Sequence, residues 1–217
     1  MTKKIITAIT AFVAVLAIFA TTAFADYYTG YKTLYYGMQS SEVTNLQNDL
    51  KSLGYFSSAS TGYFGTVTKQ AVVNYQASKK LTADGIVGHA TARAIKVDRV
   101  IQTGKAYQGV PYVWGGTTPS GFDCSGFTQY VMAKNGITIP RTAALQYQTG
   151  TSVSKSSLMP GDLVFFQTYQ AGASHVGIYL GNDQFVNASS SSGVTVSKLF
   201  SNTYWAQHYI GAKRILK

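Results

Sequence analysis

The hydrophobic pattern of this chain changes its period near residue 100, and that change restricts the possible folds more than any other feature. Before it, apolar residues recur three or four positions apart, as in the helical stripe of Val43, Leu46, Leu50 and Leu53. After it, short strand-like runs separated by glycines cover 162–166, 175–180, 184–188 and 194–196. Helices followed by consecutive strands are typical of an α+β chain with an antiparallel sheet, which is the predicted fold class.

Three short helices are predicted before this change, and they form a small bundle over residues 34–97. Ser40 or Ser41 caps the first helix and Gly54 ends it. The second starts at Thr66, and its predicted buried stripe is Val67, Ala71, Val72 and Tyr75. A bundle of this size can act as a binding module, and the alternative is a helical pro-domain or spacer that binds nothing.

The boundary between the two parts of the chain has no Pro-rich or Ser-rich tether. The third helix of the bundle is predicted over 89–95, and a separate helix through Val97, Val100 and Ile101 opens the second domain, residues 100–217. We therefore expect two closely coupled domains.

The first 25 residues have the composition of a secretory signal peptide. Lys3 and Lys4 precede an uncharged run, which closes on small residues at Ala23 and Ala25. The alternative is an uncleaved membrane anchor, but the strongly apolar part, 5–20, is shorter than the ~20 residues that span a bilayer. We expect a secreted chain with no stable membrane insertion once the signal is removed.

The chain is strongly basic, with a net charge of +10, although only 12% of its residues are charged. A positive surface attracts polyanions without selecting among them. Outside the cell these are wall polymers and anionic lipid surfaces, and nucleic acid is not expected as a partner. The alternative is that the charge serves solubility alone.

One cysteine and three histidines, His89, His175 and His208, exclude a disulfide framework and an ordinary zinc site. We predict no metal and no cofactor. A single cysteine in a secreted chain forms an intermolecular disulfide, is a reactive thiol or is buried and inert. The sequence around the cysteine has to decide among these.

Cys124 lies at the start of a predicted helix, which Asp123 caps and Gly136 ends. A helix N-terminus stabilises a thiolate, so this position predicts a lowered cysteine pKa. Cys124 also shares one helical stripe with Phe127, Thr128, Val131 and Met132. The sulfur should therefore face the element that this helix packs against, which we predict to be the hairpin of residues 174–189.

His175 and Asn187 lie in the two strands of that hairpin. A connecting loop with an odd number of residues places them diagonally on one face, whereas an even loop separates them unless a bulge intervenes. With Cys124 they supply the nucleophile, base and orienting amide of a Cys-His-Asn thiol protease. Each also has a structural alternative, as a core cysteine, a strand-end histidine and an edge amide. His89 and His208 lie in no comparable motif.

Residues 105–214 resemble the NlpC-type cysteine endopeptidases of bacterial cell walls. The resemblance rests on GVPYVWGG at 109–116, DCSG at 123–126, PRT at 140–142 with Gln146, PGDLVFF at 160–166 and SHVGIY at 174–179. It implies a papain-like domain in which the helix bearing Cys124 packs on an antiparallel sheet. The third catalytic residue of the family is most often His, and Asn187 stands there in this chain.

The same resemblance implies hydrolysis of an amide in the stem peptide of peptidoglycan, most often the bond from γ-D-glutamate to the diamino acid. The Cys124 thiolate would attack the carbonyl carbon, His175 would protonate the leaving amine, and water would release the acyl-enzyme. The Cys124 amide and the Tyr112 hydroxyl would hold the oxyanion. A related thiol amidase or acyltransferase shares these steps and stays an alternative.

Three further residues are implied as substrate contacts. Asp123 and Ser125 match the contacts of the family to the amino end of the stem peptide, and the alternative for Asp123 is a helix cap alone. Arg141 could pair with a stem carboxylate, and its alternative role is to tie down a surface loop.

The helical bundle resembles the three-helix peptidoglycan-binding module that accompanies many wall hydrolases. The matching residues are GYFG at 62–65, Thr68, 71–72, 75–76, DGIVG at 84–88 and Thr91. One departure is Thr61, which stands where that family commonly has an acidic residue. We expect a secreted, wall-associated, monomeric hydrolase whose partners are the stem peptide and glycan of peptidoglycan, with anionic wall polymers in addition. A noncatalytic wall-binding protein is the rival from another class.

Overall fold

The computed structural model describes residues 32–216, so the predicted signal peptide at 1–25 lies outside the described residues. The helices are α1 (Ser41–Ser52), α2 (Thr66–Ser78), α3 (His89–Ala106), α4 (Cys124–Lys134), α5 (Ala143–Tyr147) and α6 (Thr203–His208). The strands are β1 (Thr117–Thr118), β2 (Gly121–Phe122), β3 (Thr151–Val153), β4 (Leu163–Phe166), β5 (His175–Gly181), β6 (Gln184–Ser189), β7 (Gly193–Lys198) and β8 (Tyr209–Arg214). Helices precede an antiparallel sheet, which confirms the predicted α+β class. Within residues 32–216, no helix is both long enough and apolar enough to cross a membrane.

α1 begins and ends where its sequence indicates. Ser40, one of the two candidate caps, accepts a hydrogen bond from the Val43 amide at 3.3 Å. Gly54 follows the helix with φ at 84°, a left-handed conformation that glycine adopts without strain. Side chains from all three N-terminal helices then pack into one small core that includes Leu46, Leu50, Val72, Tyr75 and Ile95.

The predicted stripe of α2 is wrong at one position. Val67 is 58% exposed, and Thr68 is buried in its place. The buried face of α2 is centred between Val72 and Tyr75, and Thr68 lies close to that centre. Val67 lies about 100° away from it around the helix. The side-chain amide of Gln47 donates to the Thr68 hydroxyl at 2.8 Å and satisfies it there.

α3 is one continuous helix where the sequence predicted two. Residues 96–103 contain no glycine or proline, so nothing ends the helix after Ile95. Ile95 packs in the N-terminal core, whereas Val97 and Val100 pack in the core of the second domain. A single helix therefore belongs to both cores.

The second domain is built on a six-stranded antiparallel sheet with strand order β3-β8-β4-β5-β6-β7. On one face, Phe127 and Val131 of α4 pack with Val176, Ile178 and Val186 of the β5–β6 hairpin. This arrangement confirms the predicted packing of the cysteine helix on the hairpin. A second cluster, on the other face of the sheet, contains Val164, Phe166, Phe185 and Trp205.

Candidate active site

α4 begins at Cys124, and its first turn fixes the position of the thiol. The Asp123 carboxylate caps the helix by accepting a hydrogen bond from the Gly126 amide at 2.6 Å. Gly126 has to be small, because a Cβ there would lie 2.1 Å from the carbonyl oxygen of Gly116. The Cys124 side chain is buried, and its sulfur lies 3.8 Å from the Ser174 carbonyl oxygen. The thiol therefore faces the start of β5.

A bulge brings His175 and Asn187 to one face of the hairpin. The turn at 182–183 has an even number of residues, and the strand register shifts between Tyr179 and Gly181. The bulge adds one residue to β5 and so restores the alignment that an even loop would lose. His175 Nε2 lies 2.9 Å from Asn187 Oδ1. Of the arrangements left open by the sequence, the structure has the even loop with a bulge.

The hydrogen bonds behind Asn187 determine which nitrogen of His175 is basic. Asn187 Nδ2 lies 3.4 Å from the Thr195 carbonyl oxygen and 3.3 Å from the Ser197 hydroxyl. A carbonyl can only accept, so Nδ2 donates to it and Oδ1 is turned toward the imidazole. Because Oδ1 also only accepts, His175 carries its proton on Nε2. Its Nδ1 is then the free basic nitrogen.

Two cavities meet at Cys124. The first, of ≈ 430 Å³, is lined by Asp123, Ser125 and Arg141 among others. The second, of ≈ 410 Å³, is lined by His175 together with Ser189, Ser190, Ser191, Tyr204 and Trp205. Cys124, Tyr112 and Tyr169 border both cavities. A cleft with an arm on each side of a thiol can hold a chain on both sides of one amide bond.

The electrostatics of Cys124 differ from the prediction. Burial, reinforced by the Asp123 carboxylate, raises the pKa of the Cys124 thiol to about 11. The backbone amides of Val176, Ser125 and Cys124 lower this pKa, but by less than burial raises it. The predicted lowering is wrong for the resting protein, because desolvation outweighs the helix N-terminus and the capping carboxylate offsets it further.

His175 is also held in its neutral form. Burial lowers the pKa of His175 to about 4, although its hydrogen bond to Asn187 favours the charged imidazolium. The Trp205 ring covers the imidazole, with ring centroids 4.9 Å apart and planes 30° apart. At neutral pH the resting pair is therefore a thiol beside an uncharged imidazole.

Asp123, Ser125 and Arg141 form one hydrogen-bonded cluster beside the thiol. Arg141 donates to the two carboxylate oxygens of Asp123 at 3.0 and 2.5 Å and to the Ser125 hydroxyl at 3.0 Å. Asp123 Oδ2 also accepts from the Gly115 amide at 3.0 Å. Asp123 caps α4 and also binds Arg141, and both side chains line the first cavity, which they give a charged wall.

Tyr112 lies at the junction of the two cavities. Burial, with smaller effects of Cys124 and Asp123, raises the pKa of its hydroxyl to about 12. The hydroxyl therefore stays protonated at neutral pH and can donate a hydrogen bond. A β-bridge to Phe122 holds the Tyr112 backbone close to the start of α4.

Two aromatic residues of the cleft, Trp205 and Tyr169, are not predicted by any motif in the sequence. Trp205 reaches His175 from α6, and Tyr169 lies in the loop between β4 and β5, with its ring centroid 5.5 Å from that of Trp114. No local pattern marks either residue, because these contacts join segments far apart in the chain. Among residues 32–216, no group of three or more His, Cys, Asp or Glu side chains is placed to hold a metal ion.

Comparison with known proteins matches both parts of the chain. A sequence profile of the NlpC/P60 family matches residues 109–214, and a profile of a peptidoglycan binding domain matches 39–95. The crystal structure of the P60 domain of an antigen from M. avium subspecies paratuberculosis is 31% identical with a TM-score of 0.51, over 58% of this chain and 98% of that chain. The chain belongs to the NlpC/P60 family. The family assignment made from the motifs of the second domain is confirmed, and the predicted enzyme class, a cysteine peptidase, is that of the family.

Curated relatives of this NlpC/P60 chain have names that describe wall and glutamyl hydrolases. "Probable peptidoglycan endopeptidase LytE" of Bacillus subtilis (strain 168) is 47% identical over 121 residues, 56% of this chain and 35% of the relative. "Gamma-DL-glutamyl hydrolase" of the same strain is 48% identical over 118 residues, 53% of this chain and 28% of the relative. The chain therefore spans about a third or less of the length of these two relatives.

Proposed function

We propose that this protein is a peptidoglycan endopeptidase that cleaves the amide between γ-D-glutamate and the diamino acid of the stem peptide. The observation that carries the proposal is the His175–Asn187 hydrogen bond of 2.9 Å in a cleft that also holds the one cysteine of the chain. The similarity to the γ-DL-glutamyl hydrolase of B. subtilis supports the choice of bond.

The reaction starts from the neutral pair. As the substrate carbonyl approaches, the Cys124 thiol passes its proton to His175 Nδ1, and the sulfur bonds to the carbonyl carbon. Asn187 Oδ1 accepts from Nε2–H and so holds the ring as it becomes an imidazolium. The imidazolium then gives the Nδ1 proton to the leaving amine, the C–N bond breaks, and a thioester remains. Water attacks the thioester with Nδ1 as the base, and the thiol is restored.

Two donors are available for the oxyanion that forms during attack. The Cys124 amide lies at the start of α4, where the helix dipole is positive, and the Tyr112 hydroxyl borders both cavities. Such donors lower the barrier when they lie about 2.7–3.1 Å from the developing charge. On the acyl side, the Asp123, Ser125 and Arg141 cluster faces the amino end of the stem peptide.

The two parts of the chain divide the work. Residues 34–97 bind the wall, and residues 100–217 cleave it as part of a secreted, wall-associated monomer. The signal-like segment at 1–25 and the names of the relatives support this location. A net charge of +10 draws the chain to anionic wall polymers in addition.

The test incubates the chain from Asp26 onward with defined muropeptides and identifies the products by mass spectrometry. We expect cleavage between γ-D-glutamate and the diamino acid, with no product from Cys124→Ala. His175→Gln should lose about a hundredfold or more in rate, because it removes the general base. The matched control is His89→Gln, at an exposed histidine outside the cleft, which should cleave like the parent chain.

Other outcomes would contradict the proposal in distinct ways. Cleavage of a different amide that still requires Cys124 would refute the choice of bond. Products that carry an added amine would identify an acyltransferase. A reduced chain that sediments with cell walls and cleaves nothing would identify a noncatalytic binding protein.

A further inference from the structure

A groove on the helical module, away from the thiol cleft, combines an apolar floor with a charged rim. It has a volume of ≈ 210 Å³ and lies between α1 and α3. Its floor includes the buried side chains of Leu46, Val87 and Ala92. Its rim has the charged groups of Glu42 and Asp49 from α1, of Lys96 from α3, and of Lys32, which precedes α1. This arrangement differs from a solvated helix face, which carries charge without an apolar floor.

The frame of the groove is fixed by the packing of the module. Glu42, Leu46 and Asp49 lie on one face of α1, at positions i, i+4 and i+7. Arg99 of α3 pairs with Asp49 at 3.1 Å and ties the two helices together at one end. At the other end, Leu34 and Val87 exchange backbone hydrogen bonds of 3.2 and 2.8 Å. The groove is therefore preformed, and Ala92 gives it depth because its side chain is small.

The rim presents both signs of charge, because Lys32 and Glu42 line the same groove. The Ser40 hydroxyl has the largest effect in lowering the pKa of Glu42, and Lys32 adds a smaller lowering. Lys32 can pair with a carboxylate and Glu42 with an ammonium group. The ligand that fits this rim and floor carries a carboxylate and an amine, with small alkyl groups between them.

The stem peptide of peptidoglycan has this chemistry, whereas the glycan strand does not. The stem carries methyl side chains, free carboxylates and the amine of its diamino acid. The glycan presents sugar rings and acetamides, which bind best to exposed aromatic faces. None of the described residues that line the groove is aromatic, and the exposed rings of Tyr35, Tyr36 and Tyr63 lie outside it.

We infer that the α1/α3 groove is a second binding site for the stem peptide, separate from the cleft at Cys124. The inference rests on the proposed wall function and extends it, because it assigns the peptide and not the glycan to the helical module. A chain that holds one stem in the groove raises the effective concentration of neighbouring stems at the thiol.

The test is a nuclear magnetic resonance titration of the ¹⁵N-labelled chain from Asp26 onward, carrying Cys124→Ala. One arm adds the soluble stem tripeptide of alanine, γ-linked D-glutamate and meso-diaminopimelate, and the other adds peptide-free glycan chains. We expect the tripeptide to shift the amide resonances of Leu34, Val87 and Ala92, and the glycan to leave them unchanged. Shifts confined to the thiol cleft would overturn the inference, and so would groove shifts caused by glycan alone.

Substitutions at exposed rim residues test the groove without disturbing the fold of the module. Lys32→Gln and Glu42→Gln should each raise the dissociation constant, read from the groove amides, about two- to fivefold. Lys51→Gln is the matched control, because Lys51 is exposed on α1 and does not line the groove. Equal affinity in all three variants would overturn the inference.

The groove and the proposed function fail in distinguishable ways. If the tripeptide shifts the groove amides but the chain with Cys124 cleaves no muropeptide, the groove site is supported and the proposed endopeptidase function is refuted. If the chain with Cys124 cleaves muropeptides but the tripeptide does not shift the groove amides, the endopeptidase function is supported and the groove site is refuted.

Discussion

At the scale of single residues, the proposed chemistry of the cleft depends on how firmly Asn187 holds His175. Asn187 is fully buried and connects the imidazole to the Thr195 carbonyl of β7. An amide suits this position because the proposed base, His175, is neutral at rest and needs orientation more than a counter-charge. The pair therefore works only in the one tautomer that its hydrogen bonds allow.

Asn187→Ala should lower kcat about ten- to hundredfold without abolishing cleavage. The substitution leaves Nε2–H without its acceptor, so the ring loses its fixed orientation and tautomer. Steady-state hydrolysis of a soluble muropeptide measures the effect. Asn187→His, which supplies the residue most common in the family, should recover part of the lost rate. Wild-type kcat in Asn187→Ala would contradict the role of the amide.

His175 should also make the stability of the protein depend on pH. Its pKa is about 4 in the folded protein against an ordinary value of 6.5. As the pH falls, His175 is therefore protonated in the unfolded chain before it is protonated in the folded protein. This protonation stabilises the unfolded chain, so the contribution of His175 to stability, which is fully present above pH 6.5, is lost as the pH falls toward about 4. The difference between the two pKa values corresponds to about 3 kcal/mol of unfolding free energy.

Urea unfolding of the parent chain and His175→Gln, at pH 7 and at about pH 4.5, measures this loss. The variant should lose less stability between the two pH values than the parent chain. An equal loss in both proteins would show that other groups cause the acid sensitivity.

At the scale of the elements, the short helix α6 acts through Trp205. The Asn202 side chain caps α6 by accepting from the Trp205 amide at 3.2 Å. The indole then lies on the proposed catalytic imidazole and also packs against Phe166 and Phe185, with ring centroids 4.8 and 5.2 Å apart. It shields the His175–Asn187 hydrogen bond from water.

Trp205→Leu should lower kcat about tenfold and move the acidic limb of the pH–rate profile upward. The upward move follows because burial is what lowers the pKa of His175, and the smaller side chain admits water. Trp205→Phe keeps a ring over the imidazole and should restore most of the activity and the original profile. A lower rate in Trp205→Leu with an unchanged profile would indicate a structural effect alone.

A buried ion pair joins two neighbouring strands of the sheet. Asp162, just before β4, is fully buried, and Arg214 of β8 donates to both of its carboxylate oxygens at 2.8 Å. Arg214→Met should lower the free energy of unfolding by about 3 kcal/mol, because it leaves a buried carboxylate without its counter-ion. Lys213→Met, on the same strand, removes an exposed hydrogen bond to the Ser152 hydroxyl and a contact with the Tyr147 ring, and should change it by no more than about 1 kcal/mol. Urea unfolding compares the two, and equal losses would contradict the argument.

The elements predicted from sequence are those whose own residues show a buried face. β4 to β7 and α4 have such a pattern, and Asp123 marks the start of α4 as a cap. β8 lies between β3 and β4 yet was missed, because among its residues only Ala212 is buried and no apolar alternation results. The same limit applies to the cleft: local motifs identified Cys124, whereas its raised pKa depends on the packing around it.

At the scale of the whole molecule, α3 joins the two parts of the chain, because it contributes side chains to both hydrophobic cores. The family profile of the second domain begins at residue 109, after this helix ends. The core of that domain nevertheless includes Val97 and Val100, and a Cβ at Gly104 would lie 3.3 Å from the Val186 side chain of β6. The catalytic part is therefore complete only with a helix that begins inside the binding module.

Truncations on either side of α3 should separate these contributions. A chain that starts at Tyr107 loses Val97, Val100 and Ile101 from its core, and burial of each such side chain stabilises by about 1.5–3 kcal/mol. Their sum approaches the ~5–15 kcal/mol that a whole domain has in reserve, so this chain should show no cooperative thermal transition by circular dichroism. A chain that starts at Gly88 keeps α3 and should melt cooperatively, although Ile95 then faces water. If the shorter chain melts as cooperatively as the longer one, α3 belongs to the module alone and the two parts are independent.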